Sequence, residues 1–176
     1  MIRYQYKTNH ILFIGINPHP GSFKRSVPFS NNKLFWYLLS DAGLIQESRS
    51  ELKDDAFLKH FYQNKFNKVY KYGLVNLIER PTHNITFLKK GEEIQGQKKI
   101  NHIIKKQKPS VVCFVGKITY QKYSGLFSID FGWQKKISES EIYVMHAPLR
   151  GKAEIRVSEL KAALIKASGT KNNNGL

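Results

Sequence analysis

Four stretches of the chain are apolar almost without interruption: His10 to Ile16 (HILFIGI), Tyr72 to Leu77 (YGLVNL), Ser110 to Gly116 (SVVCFVG) and Glu141 to His146 (EIYVMH). A strand with one face in water alternates apolar and polar residues, whereas a strand covered on both faces does not, so these four read as buried strands of a parallel sheet. Between them, apolar residues recur at helical spacing. Asn32 to Ala42 puts Leu34, Phe35, Leu38, Leu39 and Ala42 on one face, with capping candidates in Ser30 to Asn32 and Gly43 as its stop. Asp55 to Phe66 repeats Phe57, Leu58, Phe61 and Tyr62. Glu92 to Lys108 has carboxylates in its first turn, Ile100, Ile103 and Ile104 on a face, lysines in its last turn and Pro109 beyond. Glu154 to Ala167 spaces Val157, Leu160 and Leu164 as a helix does. This alternation predicts a three-layer α/β/α sandwich around a mainly parallel sheet of four to five strands.

At 176 residues the chain suits one domain. No repeat and no Gly/Ser linker divides it, so residues 1–168 read as a single domain and 169–176 as a loose polar tail. A chain this long buries roughly 70% of its unfolded surface and needs neither disulfide nor structural metal. Its one cysteine, Cys113, excludes an internal disulfide and a cysteine-held zinc or iron–sulfur site. The N-terminal MIRYQYKTNH lacks an apolar signal core, and no apolar run approaches the roughly 20 residues of a membrane span. The expectation is a cytoplasmic, nucleoid-associated protein without membrane attachment.

Charge changes the picture. There are 29 Lys and Arg against 13 Asp and Glu, a formal net charge of +16, which points to a polyanionic partner, nucleic acid first and anionic membrane second. Residues 1 to 40 carry five basic side chains and no acid, and residues 89 to 136 carry eleven against three. Folding could present these two segments as one basic face.

In open α/β sheets the ligand crevice lies outside the carboxyl ends of the strands. After the first strand comes Gly15-Ile16-Asn17-Pro18-His19-Pro20-Gly21-Ser22, a turn whose backbone can approach a ligand while Asn17 offers a donor and an acceptor. The alternative is that Asn17 only bonds its own backbone. It is not a phosphate-binding P-loop, because G-x-x-x-x-G-K-[ST] is absent. Asn76, inside the second apolar strand, must either bridge backbone groups or read the edge of a base. His146, ending the fourth strand, is by type more often structural than catalytic.

These segments fall together. GINPHPGS, then VPFSNNKLFW, GLVNLIERPT, VVCFVGK and MHAPLRGKAEIR, in that order from about Ile11 to Leu164, resemble the uracil-DNA glycosylase superfamily, and most closely its mismatch-specific branch acting on uracil and thymine opposite guanine. The resemblance implies a monofunctional DNA glycosylase that needs no cofactor and no metal. It would flip a damaged or mismatched base, uracil foremost, from duplex or single-stranded DNA and hydrolyse its N-glycosidic bond to begin base excision repair. It also implies roles. Asn17 positions the attacking water, Phe29 stacks on the flipped base, Asn76 pairs with the pyrimidine edge, and Gly15 and Ile16 complete the base site. His146 donates to the departing uracil O2, while Leu149 and Arg150 fill the vacated stack, with Lys152 and Ser22 on DNA. Lys24 and Arg25 join them in holding phosphates. Two departures stand out. The mismatch-specific first motif runs G-I-N-P-G, whereas His19 and Pro20 intervene here before Gly21, and that branch has Asn where this chain has His146.

Breaking the bond leaves an oxocarbenium-like sugar and an anionic base, so the site must stabilise an anion and place a water. Asn17 is too weak a base to abstract a proton and is assigned to the water. The protein is expected to be a monomer. The other readings are a catalytically weak or inactive DNA-binding member of the same fold, and a zinc hydrolase using His19, His83 and His146.

Overall fold

The computed structural model describes residues 1–7, 10–149 and 151–172. The four apolar runs become β1 (Ile11–Gly15), β2 (Tyr72–Asn76), β3 (Val111–Val115) and β5 (Ser140–Met145), and a strand between the last two, β4 (Gly132–Ile137), completes a five-stranded sheet of order β2-β1-β3-β5-β4. All neighbours are parallel except β4 with β5. Among the described residues, seven α-helices accompany them: α1 (Pro20–Arg25), α2 (Leu34–Asp41), α3 (Arg49–Leu52), α4 (Asp55–Phe61), α5 (Glu93–Gln107), α6 (Lys117–Ser124) and α7 (Ala153–Asn172).

The unbroken apolar runs have a direct cause. Alternate strand residues point to opposite faces of the sheet, and both faces are covered. Ile11, Phe13, Val111, Cys113 and Met145 pack with α2 and α7, while Leu12, Ile14, Val112, Phe114 and Val144 pack with α5 and α6. The result is the expected three-layer sandwich.

Three features differ from the expectation. β4 is an edge strand whose more covered positions are Gly132, Gln134 and Ile137; the exposed Trp133 meets Tyr143 edge-on at 4.8 Å, and Lys135 and Lys136 follow in sequence. Its single packed face leaves no apolar run, and charged side chains blunt an exposed edge. The helix expected over 55–66 is α4 followed by a π-helical turn, Tyr62–Phe66. That wider turn brings Phe61, Tyr62 and Phe66 around the fully buried indole of Trp36, with ring centroids 5.2 to 6.0 Å away. Finally, α7 runs to Asn172, beyond the Glu154 to Ala167 helix read from the sequence. Among the described residues, no helix is long and apolar enough to cross a membrane.

One glycine fixes how closely α5 approaches the sheet. A Cβ on Gly96 would lie 1.7 Å from the Leu77 carbonyl oxygen, so the helix can seat at the end of β2 only without a side chain there. Gly96→Ala is expected to cost about 1–3 kcal/mol through overpacking, at roughly 2–4 °C of Tm for each kcal/mol. An unchanged melting temperature would contradict this packing.

Candidate functional site

The carboxyl ends of the central strands open on a cavity of about 420 Å³, within the roughly 300–1,000 Å³ typical of small-ligand sites. Gly15 and Asn76 are register partners at the ends of β1 and β2. The pairing continues past them, with Leu77 N–H donating to Gly15 O and Ile78 N–H to Ile16 O, both at 2.8 Å. Two loops 60 residues apart in sequence are thereby held side by side.

Gly15 makes the cavity floor possible. A Cβ there would lie 2.4 Å from Asn76 Oδ1 and 2.7 Å from Phe29 Cζ, so the missing side chain lets amide and ring converge. Asn76 is only 3% exposed, and its Oδ1 is buried with no hydrogen-bond partner among the described residues. An orphaned buried acceptor costs about 1–3 kcal/mol, a deficit that a donor on a bound base would remove. Phe29 sits in the left-handed region (φ 55°), and its ring stacks on the buried Phe35 at 4.6 Å with 27° between planes. Such backbone conformations cost about 1–3 kcal/mol and persist where the surroundings enforce them. Phe35 is the enforcing surface here.

Asn17 lines the same cavity, and three oxygens face its amide nitrogen. Nδ2 donates to Thr82 Oγ1 at 2.8 Å, with the Pro18 and Arg80 carbonyls at 3.3 and 3.5 Å. Oδ1 has no protein donor among the described residues. The loop carrying Thr82 is pinned twice: Thr82 N–H donates to Pro18 O at 3.1 Å, and Arg80 holds Glu92 through two nitrogens at 2.6 and 2.9 Å. The Arg80 guanidinium keeps the Glu92 carboxyl down at about 2.

His19, one of the two residues that depart from the first-motif pattern, also lines the cavity. Its Nδ1 accepts the Gly21 N–H at 3.1 Å and so caps α1, which places the proton of the neutral ring on Nε2. Burial, then His83 and Arg25, push its pKa below the usual histidine value, against a smaller opposing effect of Asn31. His83 meets it edge-on at 5.0 Å.

His146 is placed differently. It is absent from the described residues that line the cavity. Its Nδ1 lies 2.7 Å from Glu159 Oε1, its backbone N–H donates to Glu159 Oε2 at 3.0 Å, and its ring stacks on Phe131 at 3.5 Å, with Lys117 over the Phe131 ring. The structure thus brings Asn17, Ile16, Phe29 and Asn76 together above Gly15 and leaves His146 on a carboxylate. The three-histidine zinc set does not assemble: among the described residues, no group of three His, Cys, Asp or Glu side chains could hold a metal ion.

Of the residues expected on DNA, Leu149 is 69% exposed at the cavity mouth, Lys152 is exposed, and Arg150 lies outside the described residues. Ser22 borders the cavity but is buried, and its Oγ accepts the Asn31 N–H at 2.9 Å, tying the Phe29 loop to α1. The loop bearing Leu149 is braced by a residue that sequence reading overlooks. Arg156, 8% exposed on α7, donates to Ala147 O at 2.8 Å and Lys152 O at 3.0 Å, clasping both ends of the loop. Its only signal in the sequence was a charge on an otherwise amphipathic helix.

In the comparison with protein families, a model described as the uracil DNA glycosylase superfamily matches residues 3–168, nearly the whole chain.

Proposed function

The chain belongs to the uracil DNA glycosylase superfamily, whose members act on DNA, and from that premise we propose that this DNA glycosylase is a monofunctional, monomeric enzyme. It takes uracil foremost, as the mismatch-specific branch does, flips it from the stack and hydrolyses its bond to the sugar. The observation that carries the reading is the convergence of Asn17, Phe29 and Asn76 on one cavity at the strand ends. Flipping a base costs a few kcal/mol and costs least at a mismatch. Stacking on the Phe29 ring returns about 1–3 kcal/mol. The Asn76 carboxamide accepts the uracil N3–H on its unpartnered oxygen and donates to O4, whereas the cytosine edge presents the opposite pattern.

Asn17 Oδ1 then accepts a hydrogen bond from the attacking water and holds the water against the sugar carbon. The negative charge developing on the base falls to an imidazole N–H. In the conformation described, His19 and His83 both border the cavity, and His19, whose Nδ1 is occupied by Gly21 N–H and whose ring proton is on Nε2, takes this role, while His146 is held by Glu159. His19→Ala is expected to lose about a hundredfold in the single-turnover rate, the scale of one preorganised donor, and His146→Ala less. The reverse order would return the donor role to His146.

The test is base release. Duplex oligonucleotides with uracil opposite G, uracil opposite A, thymine opposite G, or hypoxanthine, and single strands with uracil, are incubated with the protein and then cleaved at abasic sites by alkali. Breaks at uracil, strongest opposite G, are expected. Binding without breaks on any substrate would make the protein a DNA-binding member that has lost catalysis.

A further inference from the structure

We infer that Thr82 is the positioning residue that fixes which way round the Asn17 carboxamide stands, and so turns an amide into a dedicated water acceptor. The inference rests on the water-holding role given to Asn17 above.

A carboxamide has two ends of nearly equal size and opposite chemistry, and without a constraint it can present either. A threonine hydroxyl has a single proton. Thr82 spends that proton on Asn84 O, 2.8 Å away. Its oxygen therefore faces Asn17, also at 2.8 Å, purely as an acceptor, and only the Nδ2 end can satisfy it. Reversing the amide would set Oδ1 against this lone pair and against the Pro18 and Arg80 carbonyls, three acceptors none of which has a proton to give while Thr82 donates to Asn84. The two carbonyls stand at 3.3 and 3.5 Å, beyond the usual range for a strong N–H···O bond, so Thr82 supplies the one short contact.

The clamp is itself rigid. Thr82 is 8% exposed, and its backbone N–H is tied to Pro18 O, the residue after Asn17. With Nδ2 captured, Oδ1 is the end left for the cavity. An oxygen there accepts a hydrogen bond from the water and turns a water lone pair toward the sugar. A reversed amide would donate to the water and occupy that same lone pair. Proton direction along Asn17, Thr82 and Asn84 thus decides whether the water is a nucleophile.

Thr82→Val keeps the shape, the backbone bond to Pro18 and the covered position while removing the hydroxyl; Thr82→Ser restores it. Two readouts are taken. In ¹⁵N NMR of the free protein, the Asn17 side-chain NH₂ signals, assigned by their loss in Asn17→Ala, are expected to move upfield and exchange faster with water in Thr82→Val, and to stay near their original positions in Thr82→Ser. In single-turnover base release, Thr82→Val is expected to fall about tenfold to a hundredfold, the scale of a misplaced reacting group. DNA affinity is expected to stay unchanged and Thr82→Ser to recover most of the rate. Unmoved NH₂ signals in Thr82→Val overturn the clamp whatever the activity. A full rate in Thr82→Val, or failure of Thr82→Ser to rescue a lost one, overturns its role in positioning. If the wild-type protein releases no base while the NH₂ signals shift as expected, the clamp stands and the glycosidase role of Asn17 falls.

Discussion

Asn17→Ala lowers the single-turnover rate of base release by at least about a hundredfold, because a water displaced by an ångström no longer sits in line with the sugar carbon. Affinity for uracil-containing duplex stays where it was. The split is expected because stacking on the base and pairing with its edge belong to Phe29 and Asn76, while Asn17 holds the water. A loss seen in the rate alone is the signature of a contact made to the reacting atoms. The structure also predicts that Asn17→Asp is no rescue. A carboxylate would be the stronger base in isolation, but both its oxygens are acceptors, and it would face the Thr82 hydroxyl oxygen and the carbonyls of Pro18 and Arg80. To accommodate it, Thr82 must abandon Asn84 and turn its proton around. Measured by rapid quench for chemistry and fluorescence anisotropy for binding, equal loss of rate and affinity in Asn17→Ala would remove Asn17 from the chemical step.

The second large effect belongs to a residue with no side chain. Gly15→Ala places a methyl 2.4 Å from Asn76 Oδ1 and 2.7 Å from Phe29 Cζ, well inside contact distance of both base-recognising groups. Both displaced atoms are ends of side chains rather than backbone, so the chain still folds, and overpacking costs about 1–3 kcal/mol. The cavity does not survive as well as the fold. Amide and ring must part, and base release from every substrate is expected to fall by about a hundredfold or more, since geometry at the reacting centre is lost. Affinity for undamaged duplex, held by phosphate contacts, is expected to be unaffected. Gly96→Ala is the natural contrast: it strikes the Leu77 backbone under α5 and should cost stability first. If Gly15→Ala kept wild-type turnover, the floor of the base site would have to lie elsewhere.

Much of this was legible from local pattern. The strands β1, β2 and β3 fall within the first three apolar runs and β5 covers most of the fourth, starting one residue earlier, because a strand covered on both faces is mostly apolar along its length. The loops that carry the site follow from the same reading, since strand ends in such sheets define the crevice. β4 escaped because one covered face and two lysines leave a weak alternation. α1 escaped because it is six residues long and opens on a proline within what reads as a turn.

Charge shows where local reading stops. The first 40 residues hold no acid, yet Arg25 and Lys33 both reach Asp55, at 2.9 and 2.6 Å, so part of that basic segment is answered by a carboxylate from a later helix. Lys24 remains exposed on α1. Lys99, Lys108 and Lys136 likewise meet Glu79, Glu139 and Glu141.

The sequence alone determined the layers, the order of the strand-end loops, the excess of positive charge, and the presence of Asn17, Phe29, Asn76 and His146 at positions where chemistry could occur. Each of these depends on neighbours within one element. Only the tertiary structure decided that Gly15 lets Asn76 and Phe29 meet, that Thr82 takes the nitrogen end of Asn17, that Arg156 clasps the loop of Leu149, and that His146 rests on Glu159 while His19 borders the cavity. Asn17 and Thr82 are 65 residues apart in the chain. Their meeting depends on β1 and β2 pairing in register, and proton direction along a hydrogen-bond chain exists only once its members are in contact.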